Sequence, residues 1–276
     1  MGLVVNTNVA AINATRTLRR STLALNKSLE RLSSGLRINR AADDAAGLAI
    51  ANGLNSQVRG LGVAQRNAQD GISLVQTAEG ALSEVTNMLQ RMRELAVQAA
   101  NGTLSTQNRT DLNNEFDQLR SQINDTANRT EFNGITPLSS AVAITLQTGS
   151  EAGQTTLVTG TGNFTTAGSL VGIAGSSVAG ADAVNATAAI AAVDAAIGVI
   201  DTARAGMGAT QNRLEFTIET LAIQAENSAA SESAIRDANI ATETIAFTRN
   251  QILVTAGTSI LAQANLVPQT ALQLLA

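Results

Sequence analysis

The sequence predicts a mainly α-helical fold in which long N- and C-terminal helices pair as antiparallel coiled coils, with a small central β-hairpin region. Two observations favour this fold. Apolar residues recur at heptad spacing over most of the chain outside residues 132–182. Residues 1–42 carry seven basic residues and one acidic residue, whereas residues 213–243 are mainly acidic. The opposite charge of these two segments predicts that the chain ends lie side by side.

A first helix is indicated by the leucines of the N-terminal segment. Leu18, Leu25 and Leu32 repeat every seven residues; Leu29 lies between the last two, and Leu36 follows one turn after Leu32. Because a helix turns once in 3.6 residues, this spacing gathers the five leucines along one stripe.

A second, much longer helix is predicted over residues 45–100. Its heptad positions are all apolar: Leu54, Leu61, Ala68, Val75, Leu82, Leu89 and Ala96. At 1.5 Å per residue such a helix is roughly 80 Å long. Glycines within it each cost about 1 kcal/mol if exposed, so tertiary packing must hold it together. We expect it to end at Asn101 and Gly102.

The third helix and the central region follow. Ser105 or Thr106 can cap a helix with one apolar face, formed by Leu112, Phe116, Leu119 and Ile123. Asn133 and Gly134 predict a turn, and the alternation over residues 141–147 predicts a strand. Residues 149–180 are rich in Gly, Ser and Thr, which is typical of short strands and loops.

Two helices are predicted in the C-terminal part. Helix resumes near Ala183, and the glycines flanking Met207 predict a break. The last helix repeats Ile240, Phe247, Val254 and Leu261, flanked by Leu253 and Ile260. It is apolar around much of its circumference, as expected of a helix that is buried on several sides.

The two ends of the chain carry no charge, since no side chain before Arg16 or after Arg249 is ionisable. Polar residues such as Gln251 and Gln263 interrupt the last segment, so no apolar run is long enough to cross a membrane. We therefore expect both ends to be buried by each other and by copies of the same chain. The candidate interface consists of Leu18, Leu25, Leu29, Leu32, Leu36, Ile240, Phe247, Val254, Ile260 and Leu261.

Composition excludes most chemical functions. The 276 residues contain no Cys, His, Trp or Tyr, which excludes thiolate catalysis, imidazole acid–base chemistry and the usual zinc sites. The net charge of −4 argues against nucleic-acid binding. We expect neither enzymatic activity nor a cofactor. The N-terminus lacks the features of a cleaved secretory signal, so the protein is either cytosolic or exported uncleaved.

Several segments, in order at both ends, resemble bacterial flagellin. They are residues 32–39 (LSSGLRIN), 43–50 (DDAAGLAI), 66–73 (RNAQDGIS), 77–82 (TAEGAL), 89–98 (LQRMRELAVQ), 208–214 (GATQNRL), 256–265 (AGTSILAQAN) and 268–275 (PQTALQLL). The resemblance covers nearly the whole chain, and only the middle is short.

The resemblance implies a subunit of the extracellular flagellar filament, exported through the flagellar type III apparatus without a cleaved signal. Residues 1–44 with 234–276 would form the inner-tube domain D0, and residues 45–233 the next shell, D1, with its β region at about 132–182. The outer domains D2 and D3 would be absent or vestigial. The implied partners are other copies, an export chaperone at the C-terminal helix, and the filament cap and hook–filament junction proteins; neither nucleic acid nor a membrane is expected.

Two smaller motifs have their own interpretations. Asp43 and Asp44 are expected to form a charged turn or helix cap before Ala45, rather than a metal site. Arg91, Leu95 and Glu115 match the D1 positions at which animal Toll-like receptor 5 recognises related flagellins, and we expect all three on the helix surface.

Three other classes remain as alternatives. A hook–filament junction protein shares the terminal helices, although the D1 segments favour flagellin. A flagellin-like peptidase needs His for zinc, and the chain has none. A cytosolic coiled-coil adaptor would be found inside cells in few copies.

Overall fold

A computed structural model describes residues 7–140, 143–181 and 183–273. The first six residues, residues 141 and 142 of the predicted strand, and the last three residues lie outside the described part. The elements in chain order are α1 (Val9–Ser34), α2 (Ala45–Ala99), α3 (Thr106–Arg129), β1 (Ile144–Gln147), β2 (Thr155–Val158), α4 (Val171–Ala174), α5 (Val184–Arg236) and α6 (Ile240–Gln273). The predicted fold class, long helices with one small hairpin, is confirmed.

The chain forms two compact units. Unit 1 consists of residues 1–56 and 227–276, and therefore holds α1, α6 and the adjoining ends of α2 and α5. Unit 2 consists of residues 57–226 and holds α3, the hairpin, α4 and the remainder of α2 and α5.

In unit 1, α1 pairs with α6 in antiparallel orientation. Near the start of α1, Asn8 Nδ2 donates to the carbonyl of Ala264, 2.7 Å away. Near its end, Arg31 lies 3.6 Å from the carboxylate of Glu243. The predicted pairing of the chain ends is thus confirmed, and one basic–acidic contact of the expected kind accompanies it.

The segment between α1 and α2 is fastened to the segment between α5 and α6. The amide of Arg37 donates to the carbonyl of Arg236 (2.7 Å), and the amide of Ala238 donates to the carbonyl of Gly35 (2.9 Å). Asp44 then caps α2, because its carboxylate accepts the amide of Gly47 at 2.8 Å. The predicted helix cap at this position is confirmed.

Unit 2 has one main apolar core between α2, α3 and α5. The largest fully buried side chains of that core are Leu82, Leu89, Met92, Leu95, Phe116, Ile123, Leu138, Leu170, Ile173 and Ile200. Ser105 caps α3, accepting the amide of Asn108, as the sequence predicted. The later part of the α2 heptad series, Val75 to Ala96, supplies one side of this core, and the predicted face of α3 supplies another. Leu61 and Ala68 of the same series pack in two smaller clusters.

The predicted break at the glycines around Met207 is wrong, since α5 is continuous from residue 184 to residue 236. Met207 is fully buried, and the Thr159 hydroxyl donates to the carbonyl of Gly206 at 3.0 Å. Tertiary packing here outweighs the low helix propensity of glycine.

The hairpin pairs β1 with β2 in antiparallel register, with Ile144 opposite Val158. Asn67 of α2 donates to the carbonyl of Gln147 at 3.0 Å, which anchors the hairpin on the helix. The predicted turn is present before it: Asn133 has a φ of 50°. The short helix α4 was not predicted from the sequence.

Among the described residues, one helix, α5, is long and apolar enough to cross a membrane by length and composition. A core helix of a globular unit has the same properties. The inward side of α5 is such a core face, because Val193, Ile200 and Met207 are buried in unit 2.

Candidate polymer interface

The face of α1 that meets α6 is narrow and alternates large with small residues. Leu18, Leu25 and Leu32 are half-buried at heptad spacing, and Ser21 and Ser28 between them are buried. Small side chains at alternate positions let two helices approach closely, because little volume separates their backbones.

The face of α6 that meets α1 has the same design. Phe247, Val254 and Leu261 are half-buried, and Gly257 lies between the last two. A Cβ atom at Gly257 would lie 3.2 Å from Leu18 Cδ1, so the two helices pack tightly here. We call this contact between α1 and α6 the seam.

The ten predicted interface residues divide into three groups. Six of them contribute to the seam: Leu18, Leu25, Leu32, Phe247, Val254 and Leu261. Leu36 forms a bridge with Asp237 beyond the end of α1. Leu29, Ile240 and Ile260 are exposed and leave apolar surface uncovered.

A second apolar face of α6 lies on the side away from α1. Ile245, Ile252, Leu253, Ile260 and Leu266 are between 48% and 62% exposed. Around a helix of 3.6 residues per turn, Ile245, Ile252 and Leu266 fall opposite the seam positions, and Leu253 and Ile260 lie on the flank between that side and the seam. Part of this face is a shallow depression of about 410 Å³ between Ile245 and Leu253. We call it the outward face of α6.

Three residues of that face were not among the predicted interface residues: Ile245, Ile252 and Leu266. The seven-residue step from Ile245 to Ile252 was available as a signal. It could not be separated from the Phe247–Val254 repeat without knowing which side meets α1.

The outward face of α1 is mixed in character. Ile12 and Leu23 are exposed there, on the same side as Arg16, Arg19 and Arg20. It therefore combines apolar surface with three cations, whereas the outward face of α6 carries Arg249 alone.

Asp43 is held in the turn before α2 by three donors. Lys27 Nζ lies 2.8 Å from its carboxylate, and the amides of Arg40 and Asn39 donate to it at 3.1 Å and 3.2 Å. These contacts lower the pKa of Asp43 to about 2, and the hydrogen bond with Lys27 has the largest effect. Within the described residues, no group of acidic side chains is arranged to hold a metal ion.

The candidate receptor residues lie in unit 2. Arg91 Nε is 2.9 Å from Glu115, and its Nη1 is 3.0 Å from Glu94. These hydrogen bonds raise the pKa of Arg91, and the bond to Glu115 has the largest effect. The expectation that Leu95 is a surface residue is wrong: it is 1% exposed and packs in the core. It completes the buried side of α2, whereas Arg91 is exposed and Glu115 is half-buried.

Arg109 is a buried cation that was not among the residues predicted from the sequence to have a specific role. Its guanidinium donates to the carbonyls of Ala99 (3.0 Å), Asn101 (3.1 Å) and Ala181 (2.6 Å). Ala99 is the last residue of α2, so the positive charge faces the negative end of that helix. No local spacing could reveal this role, because the partners are backbone atoms as far as 72 residues away.

Comparison with known proteins gives the same family at both ends of the chain. Residues 5–143 match the bacterial flagellin N-terminal helical region, and residues 190–275 match the bacterial flagellin C-terminal helical region.

Individual relatives match along their whole length. A flagellin from Halalkalibacterium halodurans is 45% identical over 99% of this chain and 100% of its own. The flagellar filament 33 kDa core protein of Treponema phagedenis is 40% identical over the same shares. The crystal structure of Bacillus cereus flagellin is 33% identical, with a TM-score of 0.50 over 60% of this chain and 94% of that one.

Proposed function

Because this chain belongs to the bacterial flagellin family and is a structural subunit of the flagellar filament, we propose that its copies polymerise through the outward faces of α1 and α6. The full-length match to a filament core protein favours this function over a hook–filament junction protein. The site of action is the extracellular filament.

The outward face of α6 carries this proposal. An apolar face of five large side chains is costly to expose to water, and a soluble monomer rarely keeps one. Covering the exposed half of an Ile or Leu side chain contributes about 1 kcal/mol. Five such side chains per copy, repeated along a polymer, supply several kilocalories per mole of association free energy at each subunit.

The domain roles follow from the same contacts. We assign D0 to residues 1–44 with 234–276 and D1 to residues 45–233, with D0 forming the inner tube. The division of the chain into units 1 and 2 supports this assignment, although the units change at residues 56–57 and 226–227 of the sequence and not at the proposed domain boundaries. The seam would hold D0 together within one copy, and the outward faces would join neighbouring copies.

Other partners would use the same surfaces. An export chaperone would cover the outward face of α6 until the chain is secreted through the flagellar type III apparatus, without cleavage of a signal. The cap and junction proteins would meet the terminal helices at the two ends of the filament. No enzymatic step, cofactor, nucleic acid or membrane belongs to this function.

Recognition by Toll-like receptor 5 is a separate proposal. The exposed Arg91 and the half-buried Glu115 form an ion pair on adjoining helices, and the buried Leu95 would support α2 beneath them rather than touch the receptor. A reporter-cell assay should show that Arg91→Ala lowers signalling. Arg93→Ala is the matched control, because Arg93 pairs with Asp194 instead. Equal signalling by wild type and Arg91→Ala would refute this contact.

Electron microscopy of the purified chain tests the main proposal. Sulfate strengthens apolar burial and should promote assembly. We expect long tubes of uniform width with a central channel. Persistent monomers, even after addition of filament seeds, would contradict assembly through these faces.

A further inference from the structure

Charge is distributed unevenly between the two units. Unit 1 contains nine basic and six acidic residues, a formal charge of +3. Unit 2 contains nine basic and sixteen acidic residues, a formal charge of −7. The two values add to the net charge of −4, so the imbalance belongs to the separate units and is hidden in the total.

The surplus cations of unit 1 lie on the outward face of α1. Arg16, Arg19 and Arg20 are exposed, and none is paired with a carboxylate among the residues that the structure describes. Every acidic side chain of unit 1 already has an ion-pair or hydrogen-bond partner in the same chain. Asp43 pairs with Lys27, Glu243 with Arg31, Glu30 with Arg40 and Glu232 with Arg236, while Asp44 accepts from Gly47 and Asp237 from Ser233.

A complementary face exists on α5 within unit 2. Glu215, Glu219 and Glu226 are exposed at spacings that place them on one side of the helix. Within the described part of the chain, none of the three is paired with a basic residue. Beside this acidic row lie Phe216, which is 71% exposed, and Ile223, which is also exposed. An aromatic ring left this open on a charged helix is typical of an interaction surface.

We propose that the outward face of α1 in one copy docks on this face of α5 in a second copy. Each face has apolar side chains next to charges of one sign, and the signs are opposite. The four-residue step from Arg16 to Arg20 matches the step from Glu215 to Glu219. Ile12 and Leu23 of α1 would cover Phe216 and Ile223, since interfaces commonly surround apolar centres with charged rims.

This contact rests on the proposed function, and it adds one specific joint between subunits to the contacts of the outward face of α6. It also gives a reason for the mixed face of α1. Purely apolar association has no preferred register, whereas opposite charges at fixed spacing select one arrangement of neighbouring copies.

Charge exchange in the full-length chain tests the contact. One variant carries Arg16→Glu with Arg20→Glu, a second carries Glu215→Arg with Glu219→Arg, and a third carries all four. The control, Glu84→Arg with Asp125→Arg, makes the same charge change as the second variant, at exposed carboxylates of α2 and α3. The readout is the critical concentration for filament assembly at low and high salt, with helix content measured by circular dichroism.

We expect each of the first two variants to raise the critical concentration about tenfold at low salt, since repulsion replaces attraction at two positions. High salt should reduce the defect, because it screens exposed charges. The third variant should restore assembly, and the control should assemble like the wild type. Normal assembly of the first two variants, or failure of the third to recover, would overturn the contact. Failure of the wild type to assemble would instead overturn the proposed function on which it rests.

Discussion

Leu18 of α1 packs directly over Gly257 of α6, where the absence of a side chain lets the two helices come together. A Cβ at Gly257 would lie 3.2 Å from Leu18 Cδ1, so a side chain there would require the leucine to shift by a few tenths of an ångström and a larger one would separate the helices. The seam thus uses small residues to join α1 and α6 within one copy. The larger apolar residues on the far side of α6 remain available for other copies.

Filling this position should weaken the filament. Gly257→Leu forces α6 away from α1, and overpacking of this kind costs about 1–3 kcal/mol. We expect filaments of the variant to dissociate at a lower temperature than wild-type filaments. Gly53→Leu is the control, since a Cβ at Gly53 meets no atom within 4 Å. Equal dissociation temperatures for the two variants would contradict the tight seam.

Removing the second half of α6 should abolish assembly. Deletion of residues 251–276 takes away four of the five large residues of the outward face, while the core of unit 2 keeps all its residues. We expect no filaments, but a cooperative urea transition for unit 2. Filaments formed by the truncated chain would disprove the role of α6.

Acid should loosen the turn before α2. Because the pKa of Asp43 is lowered from 3.8 to about 2, its contacts stabilise the fold fully above pH 3.8, and that contribution is lost as pH falls towards 2. Asp43→Asn should therefore lower stability at neutral pH and flatten its dependence between pH 4 and pH 2, in the range set by that lowered pKa. Thermal unfolding across this range measures both effects. Asp201→Asn, at an exposed carboxylate of α5, should match the wild type.

Arg109 should be essential to the stability of unit 2. Arg109→Met keeps much of the side-chain volume but leaves the carbonyls of Ala99, Asn101 and Ala181 without their donor. Unsatisfied buried acceptors make the expected loss about 3 kcal/mol, which urea denaturation can measure. Arg129→Met, at an exposed position, should cost less than about 0.5 kcal/mol. Similar losses for both variants would contradict the role of Arg109.

Gly160 should resist substitution more than another glycine with the same backbone conformation. Gly160 and Gly153 have φ values of 88° and 87°, which strain any other residue. A Cβ at Gly160 would also collide with the carbonyl of Ala203, whereas one at Gly153 meets nothing. We expect Gly160→Ala to lower the urea midpoint clearly more than Gly153→Ala. Equal midpoints would show that backbone strain alone matters.

Periodicity in the sequence predicted the helices and the seam, because a seven-residue repeat reports which residues share one side of a helix. Leu18, Leu25 and Phe247 were found in this way. The repeat could not assign partners to α6, which has two apolar sides. Which side meets α1 depends on small residues on that side of α6, such as Gly257.

The two wrong predictions have different physical causes. The glycines around Met207 suggested a break, but a hydrogen bond from Thr159, which lies 47 residues before Gly206, helps to keep α5 continuous, and local sequence does not record such a contact. Leu95 was predicted at the surface, although it lies one turn from the buried Met92 and the apolar pattern of its own helix could have indicated burial.

The charge imbalance between the units has an electrical consequence for a finished filament. If D1 forms the outer shell, as proposed above, every added copy would bring the surplus negative charge of unit 2 to the outer wall, which would become a polyanion of constant linear density. Two such walls repel each other over a Debye length, about 10 Å at 0.1 M salt. This electrostatic repulsion would oppose aggregation of adjacent filaments, and the counterion concentration of the medium would set how closely filaments bundle.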